Sequence, residues 1–195
     1  MKKSCTQWLA ATALALAAGL VHAQGLTIGL TLSTSGPGAS LGIPERNAIE
    51  LLPDTLGGLP VKYVVLDDAT DPGNASRNAR RLVQEHNVDA IIGSSTTPAT
   101  LAVTSVAAES KTLQIALSPF RPAPEVFDWV LSLPQSVPVM SSALFEDMKK
   151  HGVKKLGFIG FADSYGEVWL NDVRPRAEKE GIELVSVERF ARTRS

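Results

Sequence analysis

The stretch "VDAIIGSSTTPATLAVTSVAAES", residues 88–110, decides the fold class. A short apolar run over 90–92 ends at Gly93, four hydroxyl residues follow, and Pro98 stands where the first turn of a helix begins. Apolar residues then recur at helical spacing, at Leu101, Ala102, Val106 and Ala107. The pattern predicts a strand, a hydroxyl-rich loop and a helix.

The same succession continues in both directions along the chain. Most of the strand-like runs are short, bounded by Gly, Pro or Asp, and apolar at successive positions, which favours a parallel sheet covered on both faces. The predicted strands are 26–32, 61–66, 90–92, 113–117, 129–133, 156–161 and 182–187. Strands alternating with helices predict a doubly wound α/β fold.

The helices between these strands carry start signals. Asp71 before Pro72 is typical of an N-cap followed by proline in the first turn. Two further helices are predicted over 136–150 and 165–180, with a kink or a new start at Pro175.

The alternation breaks once, at "LSLPQSVPV", residues 131–139, which holds two prolines and no regular period. We therefore predict a first lobe over 24–134 and the start of a second lobe over 135–195. Two strands are too few to bury both faces of a sheet, so the second lobe is predicted to be incomplete and the chain by itself to bind weakly.

The amino terminus is typical of a secretory signal. Lys2 and Lys3 precede a short apolar run, and Ala23 closes a small-x-small cleavage pattern. Residues 1–23 are therefore predicted to be removed, which places the mature chain in the periplasm. The apolar run is too short to span a bilayer, which argues against a membrane-spanning helix there. No second apolar run of spanning length follows in the sequence, so no membrane insertion of the mature chain is expected.

Composition excludes several function classes. The only cysteine, Cys5, is lost with the signal, so the mature chain has no thiol for a disulfide, catalysis or a metal. Removal of Lys2 and Lys3 changes the formal net charge from −1 to −3, and no basic stripe suits nucleic acid. We find no catalytic triad, no paired histidines at metal-ligand spacing and no phosphate-binding lysine loop, so no enzyme activity and no cofactor or metal are predicted.

The hydroxyl loop after the strand 90–92 is the best candidate site. Ser94, Ser95 and Thr96 meet free backbone N–H groups and the positive end of a helix dipole, an arrangement that suits a carboxylate. Ser118 and the backbone around Phe120 follow the next strand and could complete an anion pocket. The alternatives are that Ser95 or Thr96 only caps the helix, and that the second loop is merely stiffened by proline.

The glycine-rich stretch "STSGPGASLG", residues 33–42, approaches a dinucleotide fingerprint without matching it. The spacing of Gly36, Gly38 and Gly42 is G-x-G-x-x-x-G, which is one residue longer than the G-x-G-x-x-G of the fingerprint. Pro37 removes a backbone donor, and Pro44 is expected to delay the helix that should receive a phosphate. The stretch is better interpreted as a loop that lines a ligand cleft.

Four stretches in order resemble one family: "IGLTLSTSGPGASLG", "VVLDDATDPGNASRNARRLV", the stretch 88–110, and "GFADSYGE". They are similar to periplasmic branched-chain amino-acid-binding proteins of ABC importers, which have the type I solute-binding fold. The resemblance implies two doubly wound lobes that close on a ligand, of which this chain holds the first and the opening of the second.

The resemblance also implies roles for individual residues. Ser94, Ser95 and Thr96, with the loop from Ser118 to Phe120, would grip the ligand carboxylate, and Tyr165 would press on the ligand from the second lobe. Leu41 stands near the ligand where amino-acid-binding members often carry an aromatic residue. Pro122 stands where a hydroxyl is common in the family. Other members that are similar to this chain take aromatic or aliphatic carboxylic acids that lack an amine.

Three functions follow from these observations, in decreasing order of support. The first is an extracytoplasmic receptor that captures a small carboxylate, an amino acid or an organic acid, for the permease and ATPase of an ABC importer. The second is an exported ligand sensor on the same fold. The third is a dinucleotide-dependent oxidoreductase, against which export also argues.

Overall fold

The computed structural model describes residues 25–192, so the predicted signal peptide lies outside the described residues. Strands and helices alternate along this range. They are β1 Leu26–Leu32, α1 Ala39–Ile49, β2 Thr55–Leu56, β3 Leu59–Asp67, α2 Pro72–His86, β4 Ala90–Gly93, α3 Thr97–Ser110, β5 Leu113–Ala116, β6 Val130–Ser132, α4 Val137–Lys150, β7 Lys155–Phe161, α5 Ser164–Lys179 and β8 Glu183–Phe190. Among the described helices, none is long and apolar enough to cross a membrane.

Strands β1 to β6 form one sheet, called the large sheet below, in the order β2-β3-β1-β4-β5-β6. Its pairs are parallel except for the antiparallel hairpin β2–β3. The chain leaves β1 toward β3 on one side and then returns to β4 on the other, so β1 and β4 flank a point where the winding reverses. This arrangement confirms the predicted doubly wound sheet, and such a reversal opens a crevice at the carboxyl ends of the strands.

The main core lies between the large sheet and helices α2 and α3. Burial of these apolar side chains is the principal force that fixes the two helices on the sheet. The fully or almost fully buried members are Ala75, Ala79, Leu82, Val88, Ile91, Ala99, Val103 and Val106. The N-cap prediction for α2 is also confirmed, because the Asp71 carboxylate accepts a 2.7 Å hydrogen bond from the backbone N–H of Asn74.

The glycines of the stretch 33–42 serve close packing. Gly36 has a φ of +73°, and a Cβ atom there would lie 2.4 Å from the carbonyl oxygen of Ala69. A Cβ atom on Gly42 would lie 2.2 Å from the carbonyl oxygen of Ser33. Glycine therefore allows α1 to cross directly over the end of β1. This close packing accounts for the glycines of the stretch 33–42, and no bound nucleotide is needed to explain them.

The expected delay of α1 by Pro44 is wrong, because the helix begins at Ala39 and continues through Pro44. A helical N–H bonds to the carbonyl four residues earlier, so Pro44 leaves only the Ser40 carbonyl without its usual donor. Helix α5 likewise continues through Pro175, where a kink or a new start was expected, and no new helix starts there.

Strands β7 and β8 pair in parallel and form a separate two-stranded sheet, called the small sheet below. Helices α4 and α5 cover one of its faces around a smaller core of Phe145, Val173, Ala177 and Ile182. The change of sheet falls between Ser132 and Lys155. The lobe boundary within that interval, near residue 134, stays a prediction.

Candidate functional site

A cavity of about 320 Å³ lies between the carboxyl ends of the large-sheet strands and the start of α5. Its volume is within the range of small-molecule sites. It is called the cleft below, and its lining residues are Leu41, Glu45, Ser95, Thr96, Thr97, Leu117, Ser118, Pro119, Phe161, Tyr165 and Arg192. A second hollow, of about 410 Å³, lies along the small sheet, but its lining is almost wholly apolar and offers little to orient a polar ligand.

Behind the cleft, a buried carboxylate organises the ends of three strands. Asp68 is fully buried and accepts hydrogen bonds from the hydroxyls of Ser33 and Ser94, both at 2.7 Å, and of Thr31, at 3.2 Å. The backbone N–H of Thr70 adds a fourth, at 2.9 Å. The Ser94 hydroxyl is therefore committed to Asp68 and does not line the cleft, contrary to the sequence-based expectation of a direct ligand contact.

Ser95 lines the cleft, but its hydroxyl is also engaged. Its Oγ accepts a 2.9 Å hydrogen bond from the backbone N–H of Ser33 and donates its single proton to the carboxyl of Glu45. Burial raises the pKa of Glu45; the Ser95 hydrogen bond acts in the opposite direction, and the charge of Asp68 adds to the rise. Ser95 therefore positions Glu45 in the cleft.

Thr96 differs from both serines because its hydroxyl has no partner. The residue is 3% exposed, and within residues 25–192 no group hydrogen-bonds to its Oγ1. Thr96 occupies the N-cap position of α3 without making a side-chain cap, so the alternative that this hydroxyl caps the helix is wrong. Free N–H groups of the first turn of α3 lie beside it, except at Pro98, which has none.

The loop after β5 contributes differently from what the sequence predicted. The Ser118 hydroxyl lines the cleft and donates a 2.7 Å hydrogen bond to Oγ1 of Thr100. Phe120 is 6% exposed and packs in a small core with Ala116 and Val130, outside the cleft. Its neighbour Pro119 faces the cleft instead.

The opposite wall comes from β7, α5 and the residues after β8. The Arg192 guanidinium lies 3.8 Å from the ring centre of Phe161 and donates a 2.6 Å hydrogen bond to the Asp163 carboxylate. Asp163 also accepts from the backbone N–H groups of Tyr165 and Gly166, at 2.9 and 3.2 Å. This wall therefore brings two aromatic rings and a cation to the cleft.

Five of the seven predicted ligand residues line the cleft, and Ser94 and Phe120 do not. Sequence reasoning missed Glu45 and Arg192. Glu45 follows Leu41 by four residues on α1, and that spacing places both on one helix face once the helix is known to begin before Pro44. Arg192 carried no signal in the sequence. Among the described residues, no cluster of acidic, histidine or cysteine side chains suits a metal ion.

Comparison with solved structures gives relatives for this arrangement. An extracellular ligand-binding receptor from Rhodopseudomonas palustris HaA2 is 48% identical, with a TM-score of 0.85 over 87% of this chain and 47% of the other. A solute-binding protein of an ABC transporter from Rhodopseudomonas palustris BisB5, solved with 3,4-dihydroxybenzoic acid, is 26% identical, with a TM-score of 0.79 over 86% and 47%. The chain thus spans about half the length of these structures.

A possible leucine/isoleucine/valine-binding protein from Rhodopirellula baltica is also similar, with 26% identity and a TM-score of 0.73 over 90% of this chain and 51% of the other. Among curated proteins, no relative matches the sequence. The family model described as periplasmic binding protein matches residues 25–194. That family and these neighbours are receptors and not enzymes, which argues against the oxidoreductase interpretation. The chain belongs to the periplasmic binding protein family, as its doubly wound sheet and its cleft at the strand ends had indicated.

Proposed function

We propose that this protein is an extracytoplasmic solute-binding receptor that captures a small carboxylic acid for an ABC importer. The ligand lies in the cleft, with its carboxylate at the N-terminus of α3 and its body against Leu41 and Tyr165. Ser94 supports this wall from behind, and Ser95 and Ser118 form part of it. The acid is a branched-chain or other amino acid, or an aromatic or aliphatic organic acid.

The observation that carries this proposal is the unpartnered hydroxyl of Thr96. A buried hydroxyl without a hydrogen bond costs about 1–3 kcal/mol, which a ligand oxygen would recover. Thr96 lies where the free N–H groups and the dipole of α3 also favour an anion. Among the described residues, neither a histidine nor a cysteine lines the cleft, and the proposal is therefore one of binding without chemistry.

The charges around the cleft favour a monoanion. Arg192 offers a positive charge on one wall, but its guanidinium is already paired with Asp163. Glu45 and the buried Asp68 contribute negative charge to the other wall. A phosphate dianion would meet these carboxyl groups at close range, whereas a single carboxylate at Thr96 carries less negative charge and is stabilised by the positive end of the α3 dipole.

In this proposal the protein is exported and delivers its ligand to a transporter. The predicted cleavage after Ala23 places the mature chain in the periplasm, where it would deliver its ligand to a permease driven by an ATPase. The intact mass of the protein recovered from the periplasm tests the cleavage, because a soluble species that still begins at Met1 would contradict it.

The binding function is tested by the melting temperature of the full chain in the presence of carboxylic acids and their matched amides, for example leucine with leucinamide and benzoate with benzamide. A bound ligand at a hundred times its Kd stabilises a protein by about 2.7 kcal/mol. We expect at least one acid to raise the melting temperature and its amide to have no effect. Equal shifts with acid and amide, or no shift with any acid at a concentration high enough to detect the weak binding predicted for this chain by itself, would contradict the proposal.

A further inference from the structure

Glu45 is the carboxyl group that the cleft presents to a ligand. One of its oxygens, Oε2, accepts the proton of Ser95, and within residues 25–192 no donor contacts the other, Oε1. The side chain is only partly buried and lines the cleft beside Leu41, one helical turn earlier on α1. Half of the hydrogen-bonding capacity of this carboxyl is therefore open.

Among residues 25–192, no cation neutralises this side of the cleft. Neither Glu45 nor Asp68 forms an ion pair with any described residue, and all the hydrogen bonds that the Asp68 carboxylate accepts come from hydroxyl and backbone N–H donors. Arg192 lies on the opposite wall and is held by Asp163. The wall formed by α1 and the end of β4 is therefore an acceptor surface.

The Glu45 carboxyl lies next to the anion site proposed at Thr96 and the N-terminus of α3. Ser95, which holds Glu45, is the residue before Thr96, and consecutive Cα atoms are about 3.8 Å apart. One small molecule can therefore reach both groups. A ligand that placed only hydrocarbon against Glu45 would remove water from a polar group without replacing its hydrogen bonds, which is unfavourable.

We propose that Glu45 is a specificity-determining residue, which selects carboxylic acids that carry a second, hydrogen-bond-donating group, an ammonium or a hydroxyl, near the carboxylate or across a ring from it. The inference rests on the proposed function and narrows its substrate class. Acids without such a donor are bound less tightly. The raised pKa of Glu45 agrees with this role, because burial withdraws water from a carboxyl that receives a single donor in the free protein.

The test is calorimetric titration of the full chain at about neutral pH with matched acids. One set is leucine, leucic acid, which has a hydroxyl in place of the amine, and isocaproate, which has neither. The other set is 3,4-dihydroxybenzoate and benzoate. We expect a donor-bearing member of at least one set to bind about tenfold or more tightly than its donor-free analogue, as befits a hydrogen bond to a charged group.

Substitutions at Glu45 test whether this residue causes the preference for donor-bearing acids. They also distinguish a preference for a hydroxyl from a preference for an ammonium. Glu45→Leu removes the acceptor and should abolish the preference. Glu45→Gln keeps a neutral acceptor, so a preference for a hydroxyl should survive in part, whereas a preference for an ammonium should be lost. Glu50→Gln, the same change at an exposed position at the end of α1, is the matched control and should leave every ratio unchanged. Melting temperatures confirm that each variant is folded.

The outcomes are distinguishable. Binding of acids without preference for a donor, or a preference that persists in Glu45→Leu, overturns this inference and leaves the carboxylate receptor standing. Failure of the wild-type chain to bind any acid overturns the proposed function and this inference with it.

Discussion

The large sheet and the small sheet are built from the same strand–helix unit but bury it to different extents. In the large sheet, Ile91 on β4 has neighbouring strands on both sides and is fully buried. In the small sheet, Ile159 on β7 is 74% exposed, although it also belongs to an apolar run. The comparison shows that an apolar strand is buried by its neighbours in the fold, and that its own sequence does not decide this.

The two regions also hold an acidic side chain differently. Asp68, at the strand ends of the large sheet, is surrounded by hydroxyls and backbone donors alone. Asp172, on α5 beside the small sheet, accepts from the Ser141 hydroxyl and pairs with Arg176 at 3.3 Å. The first arrangement leaves a negative, preorganised wall behind a cleft, whereas the second neutralises its charge within the region.

The largest difference between the regions is expected for truncation of apolar side chains. Leu82→Ala should lower the free energy of unfolding by about 2–5 kcal/mol, because Leu82 is fully buried in the main core. Ile159→Ala, on the exposed face of β7, should change it by less than about 0.5 kcal/mol. Urea denaturation measures both. Similar losses in the two variants would show that β7 is covered in solution.

A smaller difference is expected between Asp68 and Asp172. Asp68→Asn should cost roughly 2–3 kcal/mol, because the amide presents donors to hydroxyls that now donate to the carboxylate. Asp172→Asn should cost roughly 1 kcal/mol, since the Asp172 side chain is only partly buried and its partner Arg176 is partly exposed. If the Asp172 variant were the less stable one, the organising role of Asp68 would be wrong.

The smallest expected effect is the pH dependence contributed by Glu45. Its folded-state pKa is raised above the ordinary 4.5, so the folded state holds the proton more tightly and stability falls as pH rises from 4.5 through the raised value. Within residues 25–192, the other charged or titratable groups at this site are Asp68 behind Ser95, and Tyr165 and the Arg192–Asp163 pair across the cleft. Glu45→Gln should remove this fall and be more stable than wild type at neutral pH. Parallel stability curves for the two proteins over this pH range would contradict it.

Local signals predicted the elements whose boundaries are set locally. Asp71 and Pro72 indicated the start of α2, and Pro98 that of α3, because capping and a missing N–H are properties of a few neighbouring residues. The two-residue strand β2 was missed, since it is too short to show a period. The early start of α1 was missed because Pro44 was given more weight than the small residues before it.

The sequence predicted where the candidate site lies, but only part of the hydrogen bonding within it. The hydroxyl loop does lie at the cleft, yet sequence alone could not show which hydroxyls are free. Ser94 is engaged by a residue 26 positions earlier, and Ser95 by one 50 positions earlier. Thr96 has no partner among the described residues. Such pairings depend on the sheet order, which brings β1, β3 and β4 together, and not on spacing along the chain.

The hydroxyl of Thr96 gives the most direct test of the carboxylate site at the N-terminus of α3. Thr96→Val keeps the side-chain shape and removes the hydroxyl, and Thr112→Val, just beyond the other end of the same helix, is the matched control. The measurement is calorimetric titration of the full chain with the acid that gives the largest melting shift. The account predicts a loss of about ten- to a hundredfold in affinity for Thr96→Val and less than about threefold for Thr112→Val. Unchanged affinity in Thr96→Val would contradict it.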